Sequence, residues 1–268
     1  GDVDSDGDMD FVVANRWYEN PGHISSDWTE HVFTSSWTHL SAFPFVADIN
    51  GDGRPDIVLT PTEKEGEYYR TSWFEAPADP KSNGWIEHII ENNVECVTHS
   101  LEVADMDNDG DLDVVTAEMH QSADPDEVRV YLNEDGDGVT WTKEVVATKG
   151  SHYAHLVDVE PDGDYDIFGS NHSDTTVIDL WVNQACSLTL DDWERHIVDP
   201  EKPWQTIFIT SADADGDGQQ DIITGGWWYQ NPGSPGGAWT RNTIGSPLNN
   251  MAAVHDFDDD GDIDVLGT

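Results

Sequence analysis

The chain has 268 residues, and its 55 acidic side chains against 11 lysines and arginines give a formal charge of −44 at pH 7. Such a field repels phosphate backbones and anionic lipid surfaces, so nucleic acid is excluded as a partner, as is an acidic membrane surface. With no apolar run of 18 residues no membrane insertion is expected, and the length can bury a substantial core in one domain, read as residues 1–268. An acidity of this order also suits a salty medium.

The first element is an acidic loop, Asp2-Val-Asp-Ser-Asp-Gly-Asp-Met-Asp10. Loops of the same form begin at Asp48, Asp105, Asp158, Asp213 and Asp256, spaced 43 to 57 residues apart. Position 6 is always glycine (Gly7, Gly53, Gly110, Gly163, Gly218, Gly261) and position 9 always aspartate (Asp10, Asp56, Asp113, Asp166, Asp221, Asp264). Acids on alternate residues of a tight loop can aim oxygens at one point, and a hard cation such as Ca²⁺ requires six to eight of them. Glycine at position 6 permits the reversal that brings position 9 back to that point. About half of the acids lie inside these loops.

A helical calcium site is excluded, because an EF-hand needs a bidentate glutamate at position 12. That position holds Val13, Leu59, Thr116, Gly169, Thr224 and Gly267. Short β-branched segments follow the loops instead, such as Phe11-Val-Val, Ile57-Val-Leu and Ile222-Ile-Thr, and read as strands. Next comes an aromatic segment closing on asparagine or alanine (Trp17-Tyr-Glu-Asn, Trp73-Phe-Glu-Ala, Val130-Tyr-Leu-Asn, Leu180-Trp-Val-Asn, Trp228-Tyr-Gln-Asn). A strand opening with Trp28, Trp85, Trp141, Trp193 or Trp239 follows. Asn-Pro-Gly or Asp-Gly between the two marks a turn. With the strand leading into each loop, the repeat supplies four short strands, the content of one β-propeller blade. The expected fold is all-β: a propeller of four-stranded blades with the acidic loops between first and second strands. It has five full repeats and a partial sixth, cut inside a blade at both ends of a six- or seven-bladed ring. The recurring tryptophans are expected to pack between blades, and His31, His88 and His196, three residues after them, to hold scaffold hydrogen bonds. Cys96 and Cys186 lie in different repeats and nothing in the sequence places them together.

The pattern Asp-x-Asp/Asn-x-Asp-Gly-x-x-Asp followed by Ile/Val-Val resembles the FG-GAP and VCBS repeats of calcium-binding propellers, integrin α-subunit heads among them. The resemblance covers all six loops. It implies Ca²⁺ held by side chains of positions 1, 3, 5 and 9 and by the backbone carbonyl of position 7. Carried onto this sequence, these are Asp2, Asp4, Asp6, Asp8 and Asp10, then Asp48, Asn50, Asp52, Arg54 and Asp56, then Asp105, Asp107, Asp109, Asp111 and Asp113. The later loops give Asp158, Glu160, Asp162, Asp164 and Asp166, then Asp213, Asp215, Asp217, Gln219 and Asp221, and last Asp256, Asp258, Asp260, Asp262 and Asp264. Asn50 and Glu160 depart at position 3, and Pro161 interrupts the fourth loop. The resemblance also implies a secreted or cell-surface protein, but no particular activity.

Chain direction places a second feature. With the loops on one face, the segments entering first strands and leaving second strands gather on the other. The former hold Trp37, His39, His99, His152, Tyr153, His155 and Trp204; the latter hold Arg16, Tyr68, Tyr69, Arg70, Glu118, His120 and His172. Of these, His99, His120, His152, His172 and Glu118 are the candidate ligand-binding residues. Three readings stand open: unrelated loop residues, a face binding a glycan or protein, and a lyase-type polysaccharide-active enzyme using His, Tyr and Arg. Glu118, His120 and a facing histidine are also candidates for a transition-metal site. Acyl transfer through G-x-S-x-G is excluded by its absence. Asn171-His-Ser173 has the form of a glycosylation sequon.

Overall fold

In the computed structural model, the β-branched segment behind every acidic loop is a strand. The structure describes the chain apart from residues 24, 124, 172–176, 185–192, 204–205, 246–250, 259 and 268 and the side chains of 251 and 252, and no helix forms among the described residues. The first antiparallel sheet holds β1 (Phe11–Val13), β2 (Arg16–Glu19) and β3 (Thr29–Val32). The second is β4 (Ala42–Ala47), β5 (Asp56–Pro61), β6 (Lys64–Glu75) and β7 (Ile86–Cys96). The third is β8 (Thr98–Ala104), β9 (Asp113–Glu118), β10 (Val128–Asn133) and β11 (Trp141–Ala147). The fourth is β12 (Tyr153–Val157), β13 (Asp166–Ser170), β14 (Ile178–Asn183) and β15 (Trp193–Asp199), and the fifth is β16 (Thr210–Ala212), β17 (Asp221–Thr224), β18 (Trp227–Gln230) and β19 (Thr240–Thr243). A pair, β20 (Met251–His255) and β21 (Asp264–Gly267), ends the series. Strand order within each sheet follows the chain.

From the second sheet on, the acidic loops join first to second strands, with Ala47 opposite Asp56, Ala104 opposite Asp113 and Val157 opposite Asp166. First strands of successive sheets are neighbours. They run the same way, since the Ser100 side chain bonds to Ala154 and that of Glu102 to Leu156 in one register. The first strands therefore stand around a common axis with all the loops at one end.

Four apolar clusters fill the gaps between successive sheets. Val3, Val12 and Trp17 of the first meet Ile57 and Phe74 of the second; Val58 and Trp73 meet Val114 and Tyr131; Val115 and Val130 meet Ile167 and Trp181; Phe168 and Leu180 meet Ile222 and Tyr229. The second strands of the second to fifth sheets are thus buried on both faces, which is why they read as unbroken apolar runs. Trp85, Trp141, Trp193 and Trp239 each pack against the cluster toward the preceding sheet. Trp28 departs from the expectation: it is 46% exposed with Phe11 at 61%, because no preceding sheet covers that face among the described residues. His31 and His88 stack on Trp17 and Trp73 with ring centroids 4.3 Å apart and reach Glu19 and Glu75, each at 2.9 Å. Cys96 is a buried thiol; Cys186 lies outside the described residues.

The recurring asparagine has a structural cause that the sequence leaves unexplained. The Asn133 side-chain amide donates to the Ile49 carbonyl of the preceding sheet's loop at 3.1 Å, Asn183 to Met106 at 2.9 Å, and Asn231 to Val159 at 3.1 Å. Asn231 also donates to the Gln220 carbonyl at 3.0 Å and is buried. These amides stitch one sheet to the next where strand pairing cannot. Asn231→Ala is expected to cost about 1–3 kcal/mol in urea unfolding by orphaning buried acceptors. Asn231→Asp should cost at least as much, since it aims a carboxylate at two carbonyl oxygens; a loss within error for both would dismiss the seam.

Candidate calcium loops and ligand face

Each loop is held by its own carboxylates. The position 1 aspartate accepts the N–H groups of positions 5 and 6, as when Asp105 receives Asp109 at 3.1 Å and Gly110 at 3.0 Å. The other five loops repeat this with Asp2, Asp48, Asp158, Asp213 and Asp256. Position 9 clamps the far side: Asp113 accepts the Met106 N–H on Oδ2 and the Asn133 N–H on Oδ1, both at 2.8 Å. Asp10, Asp56, Asp166 and Asp221 make the same pair of bonds, and Asp264 makes the first. Burial pushes Asp56 and Asp113 up to about 7 and Asp166 up to about 8. A bound divalent cation would reverse that push.

Side-chain oxygens converge within 4.8 Å of one another in four loops: Asp2, Asp4 and Asp6; Asp105, Asp107 and Asp113; Asp213, Asp215 and Asp221; Asp256, Asp258 and Asp260. All are hard oxygen donors, the set that suits Ca²⁺. In the first loop Lys81 approaches from the second sheet, 2.8 Å from Asp4. The fourth loop carries an identifiable fault. Position 4 needs a left-handed backbone, with φ of 59° at Ser5, 67° at Gly51, 60° at Asn108 and 76° at Gly216. Proline's ring opposes positive φ, and Pro161 reaches only 22°. The second loop departs in a different way, with Asn50 at position 3 and Arg54 at position 7.

At the other end of the axis, three of the candidate histidines come together. His99 Nδ1 lies 3.3 Å from His152 Nε2, and the His120 and His152 ring centroids are 6.4 Å apart. His99 Nε2 is 2.8 Å from Glu63, which enters from the second sheet and which the sequence reading missed. Desolvation holds His99 below its usual range despite Glu63. His172, Ser173 and Trp204 lie outside the described residues. Glu118 is engaged elsewhere: buried, it pairs with Arg129 and accepts the Glu127 N–H at 3.0 Å, a structural ion pair that competes with any role as a metal ligand.

Several other expected face residues are scaffold. Trp37 is buried and donates to the His39 carbonyl; His39 bonds the Thr62 carbonyl at 2.8 Å. Arg70 pairs with Glu87 and lies over the Tyr69 ring, while Arg16 pairs with Glu30. His155 ties three sheets by bonding Glu102 at 2.9 Å and Ser211 at 3.2 Å. Beside His152, Tyr153 contacts Phe43 from the second sheet at 6.3 Å and Phe208 before β16 at 5.5 Å, so an aromatic group crosses the axis here. Phe43 and Phe208 were absent from the expected face, since each reads as an ordinary apolar residue.

A family model described as FG-GAP-like repeat matches residues 2–59 and 105–169. These regions are FG-GAP-like repeats. The fifth and sixth loops lie outside the matched regions yet carry the same hydrogen-bonded clamps, so the structure extends the FG-GAP-like pattern along the chain. No curated protein matches the sequence. Among solved structures, the chain is similar to a lectin of Agrocybe aegerita that recognises non-reducing terminal N-acetylglucosamine, at 14% identity and TM-score 0.58, covering 90% of this chain and 67% of that one. It is also similar to a Bacillus licheniformis rhamnogalacturonan lyase (14%, TM-score 0.47, 82% of this chain and 49% of that) and to an exotype rhamnogalacturonan lyase (13%, TM-score 0.45, 84% and 48%). The chain spans about half the length of these lyases. The likeness to the lectin is one of fold: all-β and propeller-like.

Proposed function

We propose that this protein is a calcium-stabilised extracellular β-propeller module whose ligand is a glycan, bound on the face opposite the calcium loops. The observation that carries the reading is the axial group itself. His99, His120, His152, Glu63, Tyr153, Phe43 and Phe208 come from four successive sheets, and side-chain contacts join His99 to Glu63 and His152, His152 to His120, and Tyr153 to Phe43 and Phe208. Aromatic faces stack on pyranose rings, and imidazole and carboxylate groups bond hydroxyls, the mixture typical of small-ligand sites. A fold shared with a lectin supports the reading without deciding it. Calcium at the convergent carboxylates is consistent with the FG-GAP-like repeats, and millimolar extracellular Ca²⁺ would keep such loops filled.

Turnover is the second reading, and one observation favours it: the half-buried His99 imidazole stands 3.3 Å from a second histidine and 2.8 Å from Glu63, an arrangement suited to proton transfer. A glycan array separates the cases when paired with a scan for unsaturated, ultraviolet-absorbing product. His152→Ala is expected to weaken binding of an array hit at least about tenfold, the loss of roughly 1.4 kcal/mol, while leaving the calcium-dependent melting midpoint unchanged. An array without hits, or full affinity in the variant, would defeat the proposal.

A further inference from the structure

The second loop does not fit a calcium ion in the way the others do. Its position 3 is Asn50, whose Oδ1 accepts the Asp52 N–H at 3.1 Å and whose Nδ2 points at Asp52 Oδ2 at 3.4 Å. Its position 7 is Arg54, whose guanidinium sits on that same Oδ2 and is anchored by a 2.9 Å bond from Nε to the Ala76 carbonyl. Two donors thus occupy the position 5 Oδ2, one of them charged; in the fifth loop the neutral Gln219 amide alone reaches the equivalent oxygen of Asp217, at 3.3 Å. Elsewhere position 7 is Asp8, Asp111, Asp164, Gln219 or Asp262, and no other loop brings a positive charge of its own. The second loop sets three acids and an arginine where the third has five acids.

The departure is matched across the sheet. Asn20, Asn133 and Asn231 hold the carbonyl of loop position 8 through their side-chain amides. The second sheet has Ala76 at that place and lacks the amide; Arg54 reaches the Ala76 backbone instead. Two changes, 22 residues apart, substitute one hydrogen-bonded bridge for another. Lys81 at the first loop is a different case: it arrives from a neighbouring sheet and its compact ammonium bridges Asp4 and Glu19, each at 2.8 Å, so it is not part of the loop's own sequence. Arg54 is fixed at both ends of its fork.

We propose that the loop Asp48–Asp56 carries its own cation, the Arg54 guanidinium, and takes no calcium, so that this turn stays folded when the other loops lose theirs. The inference rests on the calcium reading above and goes beyond it by removing one site. Calcium per chain, counted by equilibrium dialysis of the full chain, tests it with two equivalent position 5 variants. Asp52→Asn is expected to leave the count unchanged, whereas Asp109→Asn in the third loop lowers it by one. Where Asp52→Asn fails to fold, the double variant Asn50→Asp/Arg54→Asp decides: it should gain one ion. A drop of one ion in Asp52→Asn, or no gain in the double variant, overturns the proposal while leaving the calcium reading standing. A wild type that binds no calcium overturns both, because no loop would then differ from another.

Discussion

Chelation of calcium is expected to lower the melting midpoint by about 20–40 °C, or to leave no cooperative transition. At a hundredfold excess over its dissociation constant an ion bound only to the native state contributes about 2.7 kcal/mol, so the four convergent loops together contribute about 11 kcal/mol. Whole domains are stable by only about 5–15 kcal/mol, and at this size each kcal/mol moves the midpoint by roughly 2–4 °C. Removal also leaves like charges facing one another: the ligand oxygens of Asp105, Asp107 and Asp113 stand within 4.8 Å. Calcium added back should restore the midpoint, and magnesium much less, since the smaller ion demands near-ideal octahedral geometry and keeps its water. An unchanged midpoint in chelator, read by calorimetry, would refute calcium dependence.

Periodicity made the scaffold legible and hid the site. Every acidic loop, every second strand and the tryptophan of each fourth strand recur, and recurrence is what a sequence displays. The residue types at the far face do not hold through every repeat: the position six before the loop is Ala42, His99, His152 and Ile207. His99 and His152 are 53 residues apart and meet only because adjacent first strands run parallel around one axis. Chain direction was enough to bring His99, His120 and His152 to one end, but it could not tell lining residues from struts. Trp37, His39 and Arg70 share that end and are consumed by hydrogen bonds, an ion pair and packing. Glu118 was read as a ligand because no sequence signal shows that Arg129, two strand positions from its register partner, would claim it. Glu63, Phe43 and Phe208 were missed for the converse reason. A glutamate on an acidic chain and phenylalanines beside strands carry no distinguishing mark until three-dimensional neighbours are known. Arg54 was visible as a departure at position 7, yet its meaning required the Ala76 carbonyl.

Asp113→Ala is expected to cost far more than Asp111→Ala, and to do so even in chelator. Position 9 was read from sequence as a ligand, and Asp113 does stand with Asp105 and Asp107 in the convergent set. The structure adds a second duty. Asp113 is 1% exposed, and its two oxygens hold the N–H groups of Met106 and Asn133; Asn133 in turn reaches the Ile49 carbonyl of the neighbouring sheet. Alanine would orphan two buried donors at about 1–3 kcal/mol each, and would loosen the start of β9, buried along its whole length. Asp111 does none of this. Its carboxylate lies over the turn between β10 and β11, where a Cβ at Gly136 would come within 2.6 Å of it, and burial and the charges of Asp109, Asp105, Asp135 and Asp137 hold it above the usual carboxylate range. Only its backbone carbonyl is needed by an ion, and alanine keeps that. In chelator, Asp111→Ala should therefore fall within about 0.5 kcal/mol of wild type, as surface changes usually do. Calcium titration separates the two duties of position 9: Asp113→Ala loses the ion of the third loop and Asp111→Ala retains it. Equal losses of calcium in the two variants would show that position 7 binds through its side chain, and equal losses of stability in chelator would remove the clamp.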